Sequence, residues 1–148
     1  MSIIRISKQF RFEMAHVLMG YDGPCKNVHG HSYELTVTIK GEPIEDLHNP
    51  KLGMVMDFGD LKTIVKQQII DVFDHALVLN SNMPETVTGH LQQHFEKVIL
   101  LEYQPTSEMM VVDFAGRISS MLPKNLRLAH VLLRETATSY AEWFAEDN

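Results

Sequence analysis

The residues best suited to chemistry sit close together near the start of the chain. His16, Cys25, His29 and His31 fall within sixteen residues, and Cys25 is the only cysteine. His29 and His31 are two apart, so on a strand both side chains leave the same face. His16 closes a run in which Phe10, Phe12, Met14 and His16 share a face. Two strands can thus aim three imidazoles at one point. Three neutral nitrogen donors with a position left open is the arrangement of a catalytic zinc. Zinc is the first candidate because imidazole suits it and no redox-type ligand set is visible. A His-x-His pair is also common as a plain hydrogen-bonded surface pair, and spacing alone leaves both readings open.

Three further positions could carry chemistry. A nearby cation and Lys26 would favour the thiolate of Cys25, which could then act as base or nucleophile. It could equally be a buried structural thiol, or a fourth ligand that closes the metal. Asp74-His75 can orient or relay a proton; the competing reading is a histidine favoured by the dipole at a helix C-terminus. Glu135 shares its strand face with Ala129, Val131 and Leu133. A carboxylate there needs a partner. A protein Arg is the simpler one, and a ligand with two adjacent N–H groups is the other, because a carboxylate accepts both in a fork. His48, His90 and His94 read as solvent-exposed, and His130 as packed or at an interface.

The elements that must position these groups follow from periodicity. Residues 3–16 read as a strand. Residues 31–40 alternate, with His31, Tyr33, Leu35, Val37 and Ile39 on one side and Ser32, Glu34, Thr36, Thr38 and Lys40 on the other. Residues 41–53 read as a loop, and Met54 to Met56 as a short extended stretch. A helix capped by Asp57 should carry Leu61, Ile64, Val65, Ile69, Val72 and Phe73 on one stripe and end near Asp74-His75. Residues 80–97 are the least legible, with a turn at 83–86 and a short helix bearing Leu91 and Phe95. Residues 98–101 form a strand candidate. A second helix, capped by Thr106 or Ser107, presents Met110, Val111, Phe114, Ile118 and Met121 or Leu122, and Pro123 stops it. Residues 127–136 form the last main strand, with Leu128, His130, Leu132 and Arg134 facing one way. The tail from Thr138 to Phe144 could add a strand or cover a subunit contact. The connection between the first two strands is too short for a parallel crossover. The expectation is therefore an α+β domain over residues 1–148, an antiparallel four-stranded sheet with two helices on one face.

Composition bounds the function. With 148 residues, 45% hydrophobic and 22% charged, the chain is an ordinary globular protein of one domain. A net charge of -6 argues against non-specific nucleic-acid binding, and means that an anionic substrate needs local donors. A lone cysteine fits a reducing compartment. No apolar run is long enough to span a bilayer, and the first residues lack the layout of a signal peptide, so the expected location is the cytoplasm.

Taken in order, Phe-x-Phe-x-x-Ala-His16, Cys25-x-x-x-His29-Gly-His31, Met56-Asp57-Phe58 leading a helix, Asp74-His75, Pro105-Thr106-Ser-Glu108 and Arg134-Glu135-Thr136 span nearly the whole chain. In this pattern the sequence resembles the family of 6-pyruvoyl-tetrahydropterin and 6-carboxytetrahydropterin synthases. The resemblance implies zinc bound by His16, His29 and His31, a proton-transfer set of Cys25, Asp74 and His75, and a pterin anchored by Glu135 with Thr106 near the ring. It also implies tunnelling-fold subunits joined edge to edge into barrels, commonly homohexamers, with active sites at subunit boundaries, so that Glu135 and the histidines could come from different chains. The implied substrate is the small molecule 7,8-dihydroneopterin triphosphate. The implied outcome, favoured by the short gap between Cys25 and His29, is 6-carboxytetrahydropterin with release of acetaldehyde and triphosphate, as in queuosine biosynthesis. The alternatives are the pyruvoyl-forming reaction, without carbon–carbon cleavage, and a non-catalytic oligomeric pterin- or purine-binding protein. The chain departs from compact bacterial members in a longer segment at about 80–96 and in Met109, where the family often has Asn. Lys26 and Arg11 are the cations offered for the triphosphate.

Overall fold

The computed structural model describes residues 2–148. A long hairpin forms its spine: β1 (Ile4–His16) and β2 (His29–Gly41) run antiparallel along their full lengths, from Ile4 opposite Gly41 to His16 opposite His29. Both strands are rich in β-branched and aromatic residues, which fit a pleated, half-buried surface. β5 (Arg127–Thr136) lies antiparallel against β2, and β6 (Ser139–Phe144) against β5. On the other side of the hairpin, β3 (Ala76–Asn80) runs parallel to β1 and β4 (Val98–Leu101) parallel to β3. The sheet order is β4-β3-β1-β2-β5-β6.

Six strands replace the expected four, and the sheet is mixed rather than antiparallel. β3 escaped the sequence analysis because Ala76–Asn80 is buried at nearly every position and shows no alternation, the usual appearance of a parallel strand. β4 can lie parallel to β3 because α3 (Glu85–His94) fills the crossover between them. That helix sits in the least legible segment, and Phe95 lies beyond its end, exposed.

The helical layer covers one face. Asp57 caps α1 (Phe58–Val65) through the Gly59 amide, and the helix continues through a π-helical turn over Lys66–Ile70 into the short α2 (Asp71–Phe73). Leu61, Val65, Ile69 and Phe73 are fully buried at intervals of four. A strict four-residue repeat drifts around a helix of 3.6 residues per turn. The wider π turn slows that drift and keeps Ile69 and Phe73 facing the sheet. α4 (Ser107–Ser119), capped by Thr106, buries Met110, Val111, Phe114 and Ile118 beside them, while Met121 is exposed beyond its end. These side chains meet Phe12, Met14, Tyr33, Leu35, Val37 and Ile39 of the hairpin in one core.

Two local expectations are corrected. The register slips between Thr38 and Ile39, so Leu128 pairs with Ile39 and joins the core, whereas His130 pairs with Thr38 on the opposite face. A bulge of this kind inserts a residue and breaks strict alternation. Met54 to Met56 is not a strand; Ile44 and Met54 share a backbone hydrogen bond of 2.9 Å in the long loop instead.

Candidate functional site

The register of the hairpin builds the site. His16 and His29 are direct partners at the open end of β1 and β2, and His31 follows two residues along on the same face. The ligand nitrogens of His16, His29 and His31 all lie within 4.8 Å of one another. His16 is 1% exposed, and its Nδ1 lies 2.7 Å from the Pro105 carbonyl just before α4. His29 Nδ1 lies 2.8 Å from the Asn27 carbonyl. A carbonyl can only accept, so each Nδ1 carries the proton and each Nε2 presents a lone pair. The two Nε2 atoms face each other at 2.9 Å. His31 Nε2 is buried with no hydrogen-bond partner among the described residues. Buried polar atoms of native proteins nearly always have a partner. Converging lone pairs, rings held by carbonyls behind them and an orphaned buried nitrogen are what a bound metal ion requires.

Electrostatics agree with that donor set. Burial pushes His16 below the ordinary histidine range, the Pro105 carbonyl partly opposing it. Burial lowers His31 as well, against the pull of Glu135. Burial thus favours the neutral form of His16 and His31, the form that ligates metals.

Glu135, near the end of β5, points at the same spot. Its Oε1 lies 3.7 Å from His16 Nε2 and 3.6 Å from His31 Nε2. Glu135 thus stands beside the histidine cluster rather than beside an Arg, at a distance too long for a hydrogen bond, and all four groups come from one chain. Tyr33 lies beneath them, its phenol held well above the usual range by burial and by Glu135. Glu135 also lines an opening of about 370 Å³ with Cys25, Thr106, Glu108, Tyr21 and Tyr140. Cys25 is half-buried in the short helical turn Pro24–Lys26, where the Leu18 amide donates to its carbonyl at 3.0 Å. Among the described residues no Lys or Arg lines this opening, so Lys26 and Arg11 lie outside it.

Asp74 and His75 stand elsewhere. They follow the end of α2, and His75 is 76% exposed with a left-handed φ of 61°. His75 lines a second opening with Glu13, Gly30, His31 and Ser32; His31 therefore borders it, whereas Cys25 and Glu135 do not. Asp74 Oδ1 accepts from the Glu13 amide at 2.9 Å and lies 3.1 Å from His75 Nδ1. Burial would raise this carboxyl, but those two partners and Lys97 together hold it below its ordinary value. Within one chain, then, Cys25 shares an opening with Glu135 and Thr106 but not with the Asp74–His75 pair.

The remaining histidines behave as expected. His48, His90 and His94 are exposed, and His130 packs on the Phe144 ring with its Nε2 2.7 Å from Glu142. Three contributors escaped the sequence analysis. Gln104 grips Met19 from both sides, accepting from its amide at 3.3 Å and donating to its carbonyl at 2.9 Å, and so ties the Cys25 loop to the start of α4. Its position next to the Pro-Thr-Ser-Glu run was the available clue. The Pro105 carbonyl and Tyr33 carry no sequence signal, because backbone acceptors and core phenols occur in every fold.

Comparison with known proteins agrees with this geometry. The family model described as 6-pyruvoyl tetrahydropterin synthase matches residues 5–146. The 6-carboxy-5,6,7,8-tetrahydropterin synthase of Haemophilus influenzae is 37% identical over 143 residues, 95% of this chain and 99% of that protein. The Aquifex aeolicus protein of the same name is 29% identical, covering 95% of this chain and 98% of its own. Among solved structures, an uncharacterised Wolinella succinogenes protein superposes with a TM-score of 0.82 at 20% identity, covering 98% of this chain and 99% of its own. Caenorhabditis elegans 6-pyruvoyl tetrahydropterin synthase superposes at 0.69 and 23% identity, with 98% and 97% coverage. With its motifs in order and nearly its whole length matched, the chain belongs to the 6-pyruvoyl tetrahydropterin synthase family.

Proposed function

We propose that this protein is a zinc-dependent 6-carboxytetrahydropterin synthase. It would convert 7,8-dihydroneopterin triphosphate and water to 6-carboxy-5,6,7,8-tetrahydropterin, acetaldehyde and triphosphate. The observation that carries this reading is the convergence of His16, His29 and His31 beside Glu135, which itself lines an opening with Cys25 and Thr106. The names of the curated relatives favour the carboxy-forming outcome over the pyruvoyl-forming one.

When bound by the three histidines, zinc would polarise the oxygens of the substrate side chain and acidify the neighbouring C–H. Glu135 would accept two adjacent N–H groups of the pterin in a fork. Thr106 lines the same opening beside the ring. Cys25 would take a proton from the side chain, and Asp74–His75 would return one at another atom. Since Cys25 and this pair border different openings within one chain, the reading needs the Asp74–His75 of a second copy. β3 covers only Met14–His16 of the outer edge of β1, and the outer edge of β6 has no partner among the described residues. Unpaired edges are ready to pair with another chain, which supports edge-to-edge barrels and a homohexamer. Among the described residues no helix is long and apolar enough to cross a membrane, and a cytoplasmic location is part of the proposal.

The test is to incubate zinc-loaded protein with dihydroneopterin triphosphate and assay triphosphate, acetaldehyde and the pterin product. Acetaldehyde with 6-carboxytetrahydropterin is the expected result. A 6-pyruvoyl product would move the assignment to the sister reaction, and binding without turnover would reduce the protein to a pterin carrier.

A further inference from the structure

Within its own helix, the turn that carries Asp74 and His75 is held by the Asp74 amide, which donates to the Ile70 carbonyl at 2.9 Å. His75 has a φ of 61°, a region that residues with a Cβ rarely occupy. Neighbours hold it there. The His75 amide donates to the Glu13 carbonyl at 2.6 Å, and the Glu13 amide returns a bond to Asp74 Oδ1 at 2.9 Å. The other support comes from Lys97, whose Nζ donates to the Asp71 carbonyl at 2.8 Å and the Asp74 carbonyl at 2.6 Å.

Those carbonyls lie in and just after the last turn of α2, where a helix leaves acceptors unsatisfied and where a cation suits the dipole. Lys97 is itself fixed. It directly precedes β4, and the Leu77 amide donates to its carbonyl at 2.9 Å, tying it to β3. Its half-buried stem thus ends in a clamp on both sides of Phe73. The crossover between β3 and β4 ends at Lys97 and delivers this ammonium to the turn.

We propose that Lys97 is a positioning residue for the Asp74–His75 pair, fixing the turn through two carbonyls without touching substrate. This rests on the proton-transfer role given to that pair above. The ammonium supplies two donors to two acceptors, so a methionine of similar length would fill the space and leave both carbonyls unmet. An arginine would reach at least one of them.

The test compares Lys97→Met and Lys97→Arg with the parent protein, all zinc-loaded. Lys97→Met should lower kcat by about 10–100-fold, the scale of misplacing a catalytic group. KM and zinc content should stay at parent values, and Lys97→Arg should recover a substantial part of the loss. The amide of His75 should exchange with solvent about tenfold faster in Lys97→Met, while amides in the middle of β1 and β2 are unchanged. Parent-like kcat, or a loss shared equally by KM and zinc content, would overturn the proposal. If the parent protein turns over no dihydropterin triphosphate, the functional assignment fails. The His75 exchange rate then still decides the clamp: faster exchange supports it and an unchanged rate overturns it.

Discussion

The two candidate chemical centres are built in opposite ways. The histidine cluster is buried at His16 and half-buried at His29 and His31, lies on one hairpin, and takes its geometry from strand register: His16 faces His29, and His31 follows on the same side. The Asp74–His75 turn is exposed, follows a helix end, and takes its geometry from hydrogen bonds to Glu13 and Lys97, residues distant in sequence. The first is preorganised by packing, and burial lowers His16 and His31 toward the neutral form. The second is preorganised by backbone clamps and stays open to a partner. Metal-binding sites need the former, since ligand rings must not move, whereas proton transfer across a subunit boundary suits the latter.

The sharpest way to break that contrast is to remove a ligand. His31→Ala should abolish both turnover and stable metal binding. Losing a residue that merely orients a ligand costs about 10–100-fold in metal affinity, so losing a ligand should exceed that. Metal analysis after dialysis is the check, and a retained stoichiometric ion would dissolve the assigned cluster.

Next in size, Cys25→Ala and His75→Ala should each reduce kcat by about 10²–10⁴-fold, the range for a positioned acid or base, with metal content intact. If Cys25→Ala strips the metal, the thiol is a fourth ligand and the centre is closed.

Acid should separate the two regions without mutation. Burial places the native His16 and His31 below 6.5, their ordinary value. The unfolded chain therefore binds more protons than the native one as pH falls below about 6.5, and stability is lost in that window. For Asp74 the native value lies below 3.8, so its contribution is complete above that pH and disappears only as pH falls further. Denaturation midpoints of metal-free protein should first drop below about pH 6.5, and the His31→Ala variant should flatten that step. A midpoint unchanged from neutral pH to pH 5 would contradict the assigned burial.

The smallest effect concerns α4, which lies between the two designs. Thr106 caps it by accepting from the Met109 amide at 3.3 Å, and α4 begins directly after the carbonyl that orients His16. Thr106→Ala should cost about 1 kcal/mol in urea unfolding, and Thr106→Ser far less. Equal losses for both would mean that the methyl packing, not the cap, is what matters.

Much of this molecule was legible in the chain itself. Alternation marked β1, β2 and β5, the stripe Leu61–Phe73 marked the first helix, and Asp57 and Thr106 marked the caps, because these are local patterns with a fixed period. The zinc-type donors were legible because strand geometry places His29 and His31 on one face wherever the strand lies. What tertiary structure alone decided involves partners far apart in sequence. The parallel pair β3–β4 has no alternation to reveal it. The slip at Thr38–Ile39, which moves Leu128 into the core, depends on how β5 docks. Glu135 stands beside imidazoles instead of an arginine because β2 pairs with β5 in a register that no local rule predicts. The separation of Asp74–His75 from Cys25 likewise follows from which opening each borders, a property of packed surfaces rather than of residue spacing.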